Sequence, residues 1–359
     1  MIKNKNMKCV IVQNNAVHEA IIPTFIKILN ELSITVVLYL NSDIKEKFGD
    51  LFVEFDDLDC TVNYVVFKGV KAWDVVKKDI LKEQPDFLFC NTFNLKAPSE
   101  WAMSMGLPTL GVVHNVERFT QGGIYELMHD NVQLVTLSGH VTKSLAARVP
   151  NLDISRISTI EPVVWPNDIK AAESKNNKRI GVPGSVNFDN RDYESLVSYF
   201  KSKPDSTLIF VILGGGRDRS KLEQLVHDED IKSHFEFVPK GNSGFVMYDE
   251  YVKKMQSCSF VDPLIAQNDS YTKSRITSAV TTAVGFGKPV YLTQKDYEAY
   301  GVVSLNFSFS HHEFLDAINE MDDVEYNFQI ELIKKNKDLM FYKAKNELKT
   351  AIKNLYPLG

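Results

Sequence analysis

Short apolar runs alternate with longer stretches of helical periodicity along almost the whole chain. The runs are rich in β-branched residues, which favours strands, whereas Ile21–Leu32 places Phe25, Ile28, Leu29 and Leu32 on one helical face. Strands that alternate with helices form parallel sheets with crossover helices, so the pattern predicts a doubly wound α/β architecture. In the first half of the chain the predicted strands are Cys9–Gln13, Thr35–Leu40, Val62–Phe67, Phe87–Cys90, Thr109–His114 and Leu134–Leu137.

A polar stretch with two prolines, EPVVWPNDIKAAESKNNKR, begins at Glu161 and divides the chain. Its apolar positions show no period, which is typical of an interdomain linker. We therefore predict two Rossmann-like domains, at 1–160 and 179–340, joined by a linker at 161–178 and followed by a C-terminal helix at 341–359 that returns to the first domain. The carboxyl ends of both sheets would face a common cleft, where ligands of open α/β sheets bind. The second domain has predicted strands at Arg179–Val182, Leu208–Leu213, Phe235–Val238, Ser259–Val261 and Pro289–Leu292.

Composition narrows the class of protein further. The chain has 359 residues, of which 41 are Lys or Arg and 46 are Asp or Glu, and its net charge of −5 argues against a nucleic-acid-binding protein. The four cysteines show no metal-binding spacing, which indicates reduced thiols in a cytoplasmic protein. No apolar run is long enough to span a membrane, and the N-terminus lacks the cleavage site of a signal peptide.

The stretch Asn327–Tyr356 has helical periodicity and carries seven lysines. A basic amphipathic helix can lie on an acidic membrane surface, so a peripheral contact with the inner face of a membrane stays open. The alternative is a solvated helix that closes the second domain.

Two glycine-rich turns follow predicted strands of the second half. They are GVPGSVNFDNRDY, which contains Gly184, and ILGGGRDRS, which contains Gly214, Gly215 and Gly216. Neither has the spacing of a dinucleotide fingerprint or of a P-loop, which disfavours a dehydrogenase and a P-loop NTPase. Each turn is followed by an arginine, Arg191 or Arg217, and this favours phosphate binding over a purely structural turn.

The segment Phe260–Thr293 reads as strand, loop, helix and a strand punctuated by glycine and proline. Six polar residues, SYTKSR at 270–275, crowd the predicted start of the helix. Hydroxyls, a guanidinium and free amides at a helix N-terminus suit a diphosphate. The alternative is an ordinary first turn with solvated charges.

The order of these features resembles the donor-binding half of GT-B nucleotide-sugar glycosyltransferases of the bacterial surface-glycan type. In that family a glycine turn enters the donor domain, a glycine cluster ends the next strand, and a later helix closes on a GxPV strand. This sequence supplies GVPGSVNFDNRDYESLV, LIFVILGGGRDRSKLEQL, FEFVPKGNSG, YDEYVKKMQSCSFVDP and AVGFGKPVYL in that order. In the first half, VVHNVERF and LVTLSGHVTKSL are similar to the family's histidine-ended strand and its strand-Ser-helix segment.

The resemblance implies an enzyme that moves a sugar from a nucleotide diphosphate to a hydroxyl of a glycan or a lipid-linked acceptor. His114 and Asn115 would contact the acceptor, although a strand-end histidine satisfied by its own neighbours is the alternative. The residues implied to bind the donor are Gly184, Arg191, Gly214, Gly215, Gly216, Arg217, Val238, Lys273, Ser274 and Arg275.

The sequence departs from the family at one informative place. Retaining members carry Glu-x7-Glu ahead of the GxP turn, and those two positions are Ser274 and Thr282 here. The departure favours a single in-line displacement with inversion, which needs a general base in the first domain. The resemblance offers His18 or Glu19, at the start of the first helix, for that role. A histidine that only caps the helix or lies at the surface is the alternative.

Asp57-Leu58-Asp59 matches the DxD motif of metal-dependent transferases, but it lies in an acidic stretch and the tripeptide is common by chance. We therefore expect no metal and no cofactor other than the nucleotide sugar as co-substrate. Two alternatives share the architecture: a non-hydrolysing nucleotide-sugar 2-epimerase and a catalytically silent GT-B subunit that binds a partner. Turnover of the donor distinguishes them, since only an epimerase interconverts two nucleotide sugars and a silent subunit leaves them unchanged.

Overall fold

The computed structural model describes residues 7–166, 178–266, 270–302 and 310–356. Its first sheet has seven parallel strands in the order β3-β2-β1-β4-β5-β6-β7. The strands are β1 (Lys8–Gln13), β2 (Thr35–Asn41), β3 (Thr61–Val65), β4 (Phe87–Cys90), β5 (Thr109–Val113), β6 (Val132–Thr136) and β7 (Ile157–Thr159). The helices around them are α1 (Ile22–Glu31), α2 (Ser42–Phe48), α3 (Val70–Lys82), α4 (Lys96–Met103), α5 (Val116–Gln121) and α6 (Gly139–Arg148).

The second sheet has four parallel strands in the order β10-β9-β8-β11. They are β8 (Arg179–Val182), β9 (Ile209–Ile212), β10 (Phe235–Phe237) and β11 (Phe260–Val261). The accompanying helices are α7 (Tyr193–Ser202), α8 (Arg219–Asp228), α9 (Tyr248–Ser257), α10 (Ser270–Lys273), α11 (Ser278–Gly285), α12 (Gln294–Tyr300) and α13 (His311–Glu320), and α14 (Asp323–Asn354) ends the fold.

Strand order sets the place of the ligand in both sheets. The first sheet winds outward in two directions from the neighbours β1 and β4, and the second does so from β8 and β11. Loops that leave two such strands run to opposite faces of the sheet and open a crevice at the carboxyl ends. In this protein those loops begin after Gln13, Cys90, Val182 and Val261.

Two predicted elements differ from the structure. Pro289–Leu292 is not a strand: it meets β11 through the single bridge Val261–Val290, and Pro289 lacks the amide hydrogen that would extend the ladder. The helix whose start was predicted at 270–275 begins at Ser278, where Thr277 provides the N-cap. The polar residues at 270–275 therefore precede this helix, and 270–273 form the one-turn α10.

Helix α14 crosses residue 340 without a break and packs on both domains. Ile333 and Met340 lie in the apolar core of the second domain. Leu348 and Ile352, further along, lie in a core of the first domain. One helix thus contributes apolar side chains to the cores of both domains.

The start of the segment that joins the two sheets is hydrogen-bonded to the first domain. The amides of Val163 and Val164 both donate to Thr24 Oγ1, at 3.0 Å. The remainder of the predicted linker, 167–177, lies outside the described residues. Among the helices that the structure describes, none has the length and apolar character to cross a membrane.

Candidate active site

The carboxyl ends of the two sheets enclose a cleft of about 630 Å³. Polar side chains from both domains line it, together with glycine backbone of the second domain. The first domain contributes His18, Glu19, Asn94, His114, Asn115 and Arg118, and the second contributes Gly184, Ser185, Asn187, Asn190, Arg191, Gly214, Gly215, Tyr248, Tyr251, Tyr271, Arg275, Thr277, Ser278 and Thr282.

His18 lies in the loop between β1 and α1 with an unusual backbone. Its φ is 75°, in the left-handed region that residues with a Cβ rarely adopt. The conformation is held by Asn91, whose Nδ2 donates to the His18 carbonyl oxygen at 3.0 Å. Backbone strain of this kind is concentrated at functional sites, and here it turns the imidazole toward the cleft.

The rings of His18 and His114 are stacked, with centroids 3.9 Å apart and planes 14° apart. His114 Nε2 lies 2.6 Å from the carbonyl oxygen of Asn91. Because a carbonyl only accepts, Nε2 carries the proton and donates it. Asn91 therefore fixes both histidines, one through its side chain and one through its backbone.

Both histidines are kept uncharged by their surroundings. Burial lowers the pKa of His114 well below its ordinary value of 6.5, and the neighbouring His18 adds to the effect. His18 as a residue is exposed toward the cleft, and its ring is stacked on that of His114. The protein packed around the ring partly desolvates it, and this effect, followed by the charge of Arg118, lowers the pKa of His18 to about 4. At neutral pH the pair presents ring nitrogens that can accept a proton.

Glu19 follows His18 and is only 7% exposed. The hydroxyl of Tyr248, in the first turn of α9, donates to Glu19 Oε1 across the two domains. Oε2 has no hydrogen-bond partner among the described residues. Burial raises the pKa of Glu19, while the bond from Tyr248 opposes that rise. The carboxyl group thus lines the cleft with one oxygen engaged and the other unsatisfied.

The two glycine turns of the second domain pack backbone against backbone. A Cβ on Gly214 would overlap the carbonyl oxygen of Gly184 and lie 2.7 Å from its carbonyl carbon. On Gly215, a Cβ would lie 2.6 Å from the carbonyl oxygen of Gly244. These turns therefore need glycine, and the result is a cleft wall of bare backbone.

Arg191 is buried beneath the same wall. One guanidinium nitrogen donates to the carbonyl oxygen of Pro263. A second, Nη2, lies where a Cβ on Gly184 would be 2.5 Å away, so glycine at 184 leaves the room that the guanidinium occupies. The φ of Gly184 is 92°, a second reason for glycine at that position.

Arg275 lies in the stretch between α10 and α11. Its Nε donates to Ser270 Oγ at 2.9 Å, and its guanidinium lies 4.2 Å from the centre of the Tyr271 ring. These contacts orient the side chain, which lines the cleft. A guanidinium placed in this way suits an anionic ligand.

First-domain residues hold the backbone of that stretch. His140 Nε2 lies 3.1 Å from the carbonyl oxygen of Arg275, and the amide of Val116 donates to the carbonyl oxygen of Ser274 at 3.1 Å. The site of Arg275 therefore depends on how the two domains pack together.

Five residues that the resemblance assigned to the donor do not line the cleft, among the described residues. Val238 is fully buried in the apolar core, and Ser274 is 1% exposed, with its Oγ 3.4 Å from Glu117 Oε1. Arg217 is 63% exposed and pairs with Asp189. The other two are Gly216, against which Ser185 and Val186 pack, and Lys273, whose side chain is exposed. The structure brings the other five predicted donor residues, His18, Glu19, His114 and Asn115 to the cleft.

Several lining residues had no sequence motif of their own. Asn94, which lines the cleft, follows the buried strand FLFC by four residues, and Asn91, which supports both histidines, follows it directly. Polar residues at the end of a central parallel strand are a signal for a site. No comparable sequence signal precedes the other such residues, Tyr248, Ser278 and Arg118. They reach the cleft only because of how the domains pack and how the loops run in three dimensions.

A second cavity, of about 590 Å³, lies beside the linker and α14. It includes Asp57 of the DxD tripeptide, whose carboxylate pairs with Lys27 at 2.5 Å. The amide of Asp59 donates to Asn30 Oδ1. The described residues contain no cluster of three or more His, Cys, Asp or Glu side chains that could hold a metal ion.

No protein-family model and no curated protein sequence matches the chain significantly. Solved structures match it over nearly their whole length. HepE of Anabaena in complex with UDP and glucose is 13% identical, with 97% of this chain and 98% of that chain covered and a TM-score of 0.62. Sucrose-phosphate synthase of Thermosynechococcus elongatus is 12% identical, with 97% of each chain covered and a TM-score of 0.63.

A third similar structure, from Listeria monocytogenes, is described as a UDP-N-acetylglucosamine 2-epimerase. It is 14% identical, with 98% of this chain and 97% of that chain covered and a TM-score of 0.58. At such identities the comparisons establish the fold. The expected α/β architecture is confirmed, with two parallel sheets in the GT-B arrangement.

Proposed function

We propose that this GT-B protein is a glycosyltransferase that moves a sugar from a nucleotide diphosphate to a hydroxyl of a glycan or lipid-linked acceptor. The observation that carries the proposal is the asymmetry of the cleft. A neutral histidine of the first domain and the bare backbone and arginines of the second line the same space. A base and an anion-binding wall are the two parts that such a transfer needs.

The donor would lie on the second domain. Glycine turns let backbone groups approach a diphosphate, and Arg275 supplies a positive charge beside them. The N-terminus of α11, with Thr277 and Ser278 at the cleft, adds amides and hydroxyls. Similarity to HepE, whose structure contains UDP and glucose, makes UDP-glucose the first donor to test.

His18 would be the general base, and Glu19 is the second candidate for that role. The acceptor hydroxyl gives its proton to His18 while its oxygen bonds to the anomeric carbon. The bond from that carbon to the diphosphate oxygen breaks, and the electron pair leaves with the diphosphate toward the arginines. A low pKa keeps His18 unprotonated before the step, as a base requires.

A single displacement of this kind inverts the anomeric configuration. Glu19 is the only carboxylate among the described residues that line the cleft, and one of its oxygens already accepts the Tyr248 hydroxyl. Arginines and helix dipoles can stabilise the leaving diphosphate, so we also propose that activity needs no metal and survives EDTA.

The test begins with thermal unfolding of the purified chain in the presence of UDP-, GDP-, dTDP- and CMP-sugars. A ligand of the native state raises the melting temperature by mass action, so one class should stabilise the protein at millimolar concentration. The stabilising donor is then supplied with saccharide acceptors, and NMR follows the anomeric signal of the product. Absence of stabilisation by every nucleotide sugar would argue against the proposal, and a retained configuration would refute the mechanism alone.

The similarity to the Listeria monocytogenes protein supports a second candidate function, that of a nucleotide-sugar 2-epimerase. That reaction needs no acceptor and yields a second nucleotide sugar. Incubation of the stabilising donor without acceptor separates the two activities, because only an epimerase then forms the 2-epimer.

A further inference from the structure

The first-domain wall of the cleft contains polar atoms that the protein itself leaves unsatisfied. Asn94 lies shortly after β4, where the sheet changes winding direction, and is 3% exposed. Its Oδ1 is fully buried without a hydrogen-bond partner among the described residues, yet Asn94 lines the cleft. Native proteins rarely leave such an atom unpaired, so it needs an explanation.

Glu19 gives the second, independent observation. Its Oε2 is buried and without a partner within the described chain, although Oε1 accepts the hydroxyl of Tyr248. Glu19 lines the same cleft as Asn94. Both unsatisfied oxygens therefore belong to residues of the first-domain wall of the cleft, where a bound ligand would supply the missing partners.

We propose that Asn94 and Glu19 form a subsite for the hydroxyl groups of a sugar. This inference rests on the proposed function, since it adds a binding role on the first domain to the transfer proposed above. A hydroxyl both donates and accepts, so it pairs with a carboxylate oxygen and with either end of a carboxamide.

Other ligand classes fit these two residues less well. A phosphate or carboxylate would meet the buried Glu19 side chain and find no donor on its free oxygen. An apolar chain would leave both oxygens unpaired, which is costly in a buried site. An ammonium group would lie in the cleft that Arg118 also lines, with its positive charge. Neutral polyols remain the matching class.

The sugar could be the one that the donor carries or the one that accepts it. Both present several hydroxyls, and both would lie between the domains where transfer occurs. The experiment therefore has one arm for each source.

The test compares Asn94→Ala with Asn14→Ala. Asn14 is a matched control because it is 7% exposed, also carries a buried amide atom without a partner, and follows β1, but it does not line the cleft. Calorimetry measures the affinities of the full-length chain for UDP and UDP-glucose. Saturation-transfer NMR follows free glucose with UDP present.

If the donor's sugar binds there, Asn94→Ala weakens UDP-glucose about three- to tenfold and leaves UDP unchanged, as expected for one neutral hydrogen bond. If the acceptor binds there, the glucose signal falls instead. Asn14→Ala changes neither. Removal of an unpaired buried group should also leave the melting temperature of the ligand-free Asn94→Ala protein equal or higher.

Unchanged binding of both UDP-glucose and glucose in Asn94→Ala would overturn the subsite. Should that variant fail to fold, Asn94→Leu serves instead, because leucine keeps a similar volume and removes both polar atoms of the carboxamide. If the wild-type chain binds glucose in an Asn94-dependent way but no nucleotide, the subsite stands and the proposed glycosyltransferase function fails.

Discussion

The two walls of the cleft are built on different principles. On the second domain, glycine turns press backbone against backbone, and the guanidiniums of Arg191 and Arg275 already contact protein acceptors. On the first domain, stacked neutral histidines stand beside Asn94 and Glu19, each of which has an unpaired oxygen.

The difference separates two tasks. In the proposed transfer, the wall of amides and arginines binds the diphosphate, and close packing keeps its geometry rigid. The wall of uncharged bases and unpaired oxygens would receive hydroxyl groups and one proton, so its atoms stay unsatisfied until the ligand binds. Substitutions on the second-domain wall should therefore weaken binding of the nucleotide diphosphate, and those on the first-domain wall should alter turnover or the binding of a sugar.

The largest effect should come from the packed wall. In Gly214→Ala the new Cβ would overlap the carbonyl of Gly184, and neither backbone can move without disrupting the other turn. We expect a loss of about 3–5 kcal/mol in the free energy of unfolding, together with loss of nucleotide binding. Urea unfolding and calorimetry measure the two quantities.

Gly139→Ala is the matched control for that substitution. Gly139 is the first residue of α6, and a Cβ there would meet nothing within 4 Å. Alanine favours the helix by up to about 1 kcal/mol, so stability should be equal or higher. Equal stability of the two variants would contradict the packing described for the glycine turns.

The next effect concerns the reactive wall. His18→Ala should lower turnover by about 10²–10⁴-fold, the usual contribution of a general base, and leave nucleotide affinity nearly unchanged. His227→Ala is the control, since that side chain is 62% exposed and lies on α8, away from the cleft. Steady-state kinetics measures turnover, and calorimetry measures nucleotide affinity. Near wild-type turnover in His18→Ala would show that His18 is not the general base.

A smaller effect compares two arginines of the second domain. Arg275→Ala should weaken nucleotide diphosphate binding by about 1.5–3 kcal/mol, the value of a charge-assisted hydrogen bond. Arg217→Ala should leave it unchanged, because Arg217 pairs with Asp189 outside the cleft. Equal losses in both variants would mean that the donor extends beyond the described lining.

The smallest effect concerns pH and the stacked histidines. Burial lowers the pKa of His114 below 6.5, so between that folded value and 6.5 only the unfolded chain binds the proton. The free energy of unfolding is therefore unaffected by His114 above pH 6.5. Below pH 6.5 it falls by about 1.4 kcal/mol per pH unit, because the unfolded chain binds a proton that the folded chain does not. Urea unfolding at pH 7 and pH 5.5 should show a smaller loss for His114→Asn than for the wild type. An equal loss in both would show that His114 is charged in the native chain.

Much of the fold was determined locally by the sequence. Alternation of apolar runs and amphipathic stretches specified all strands of the two central sheets except β7, a short edge strand of three residues. The glycine turns were visible as well, because a tight turn after a strand needs residues without a Cβ within a few positions. Such features depend on neighbours in the chain, and periodicity records them directly.

Tertiary structure alone decided which of those features meet. Arg191 and Arg217 follow glycine turns in the same way, yet one reaches the cleft and the other faces solvent. Asn91 became the support of both histidines because β4 lies between β1, which His18 follows, and β5, which His114 follows. Tyr248 reached Glu19 because α9 packs across the domain boundary. Strand order brings Asn91 to His18 across 73 positions of the chain, and domain packing brings Tyr248 to Glu19 across 229. Such contacts depend on the three-dimensional path of the chain, which local periodicity does not encode.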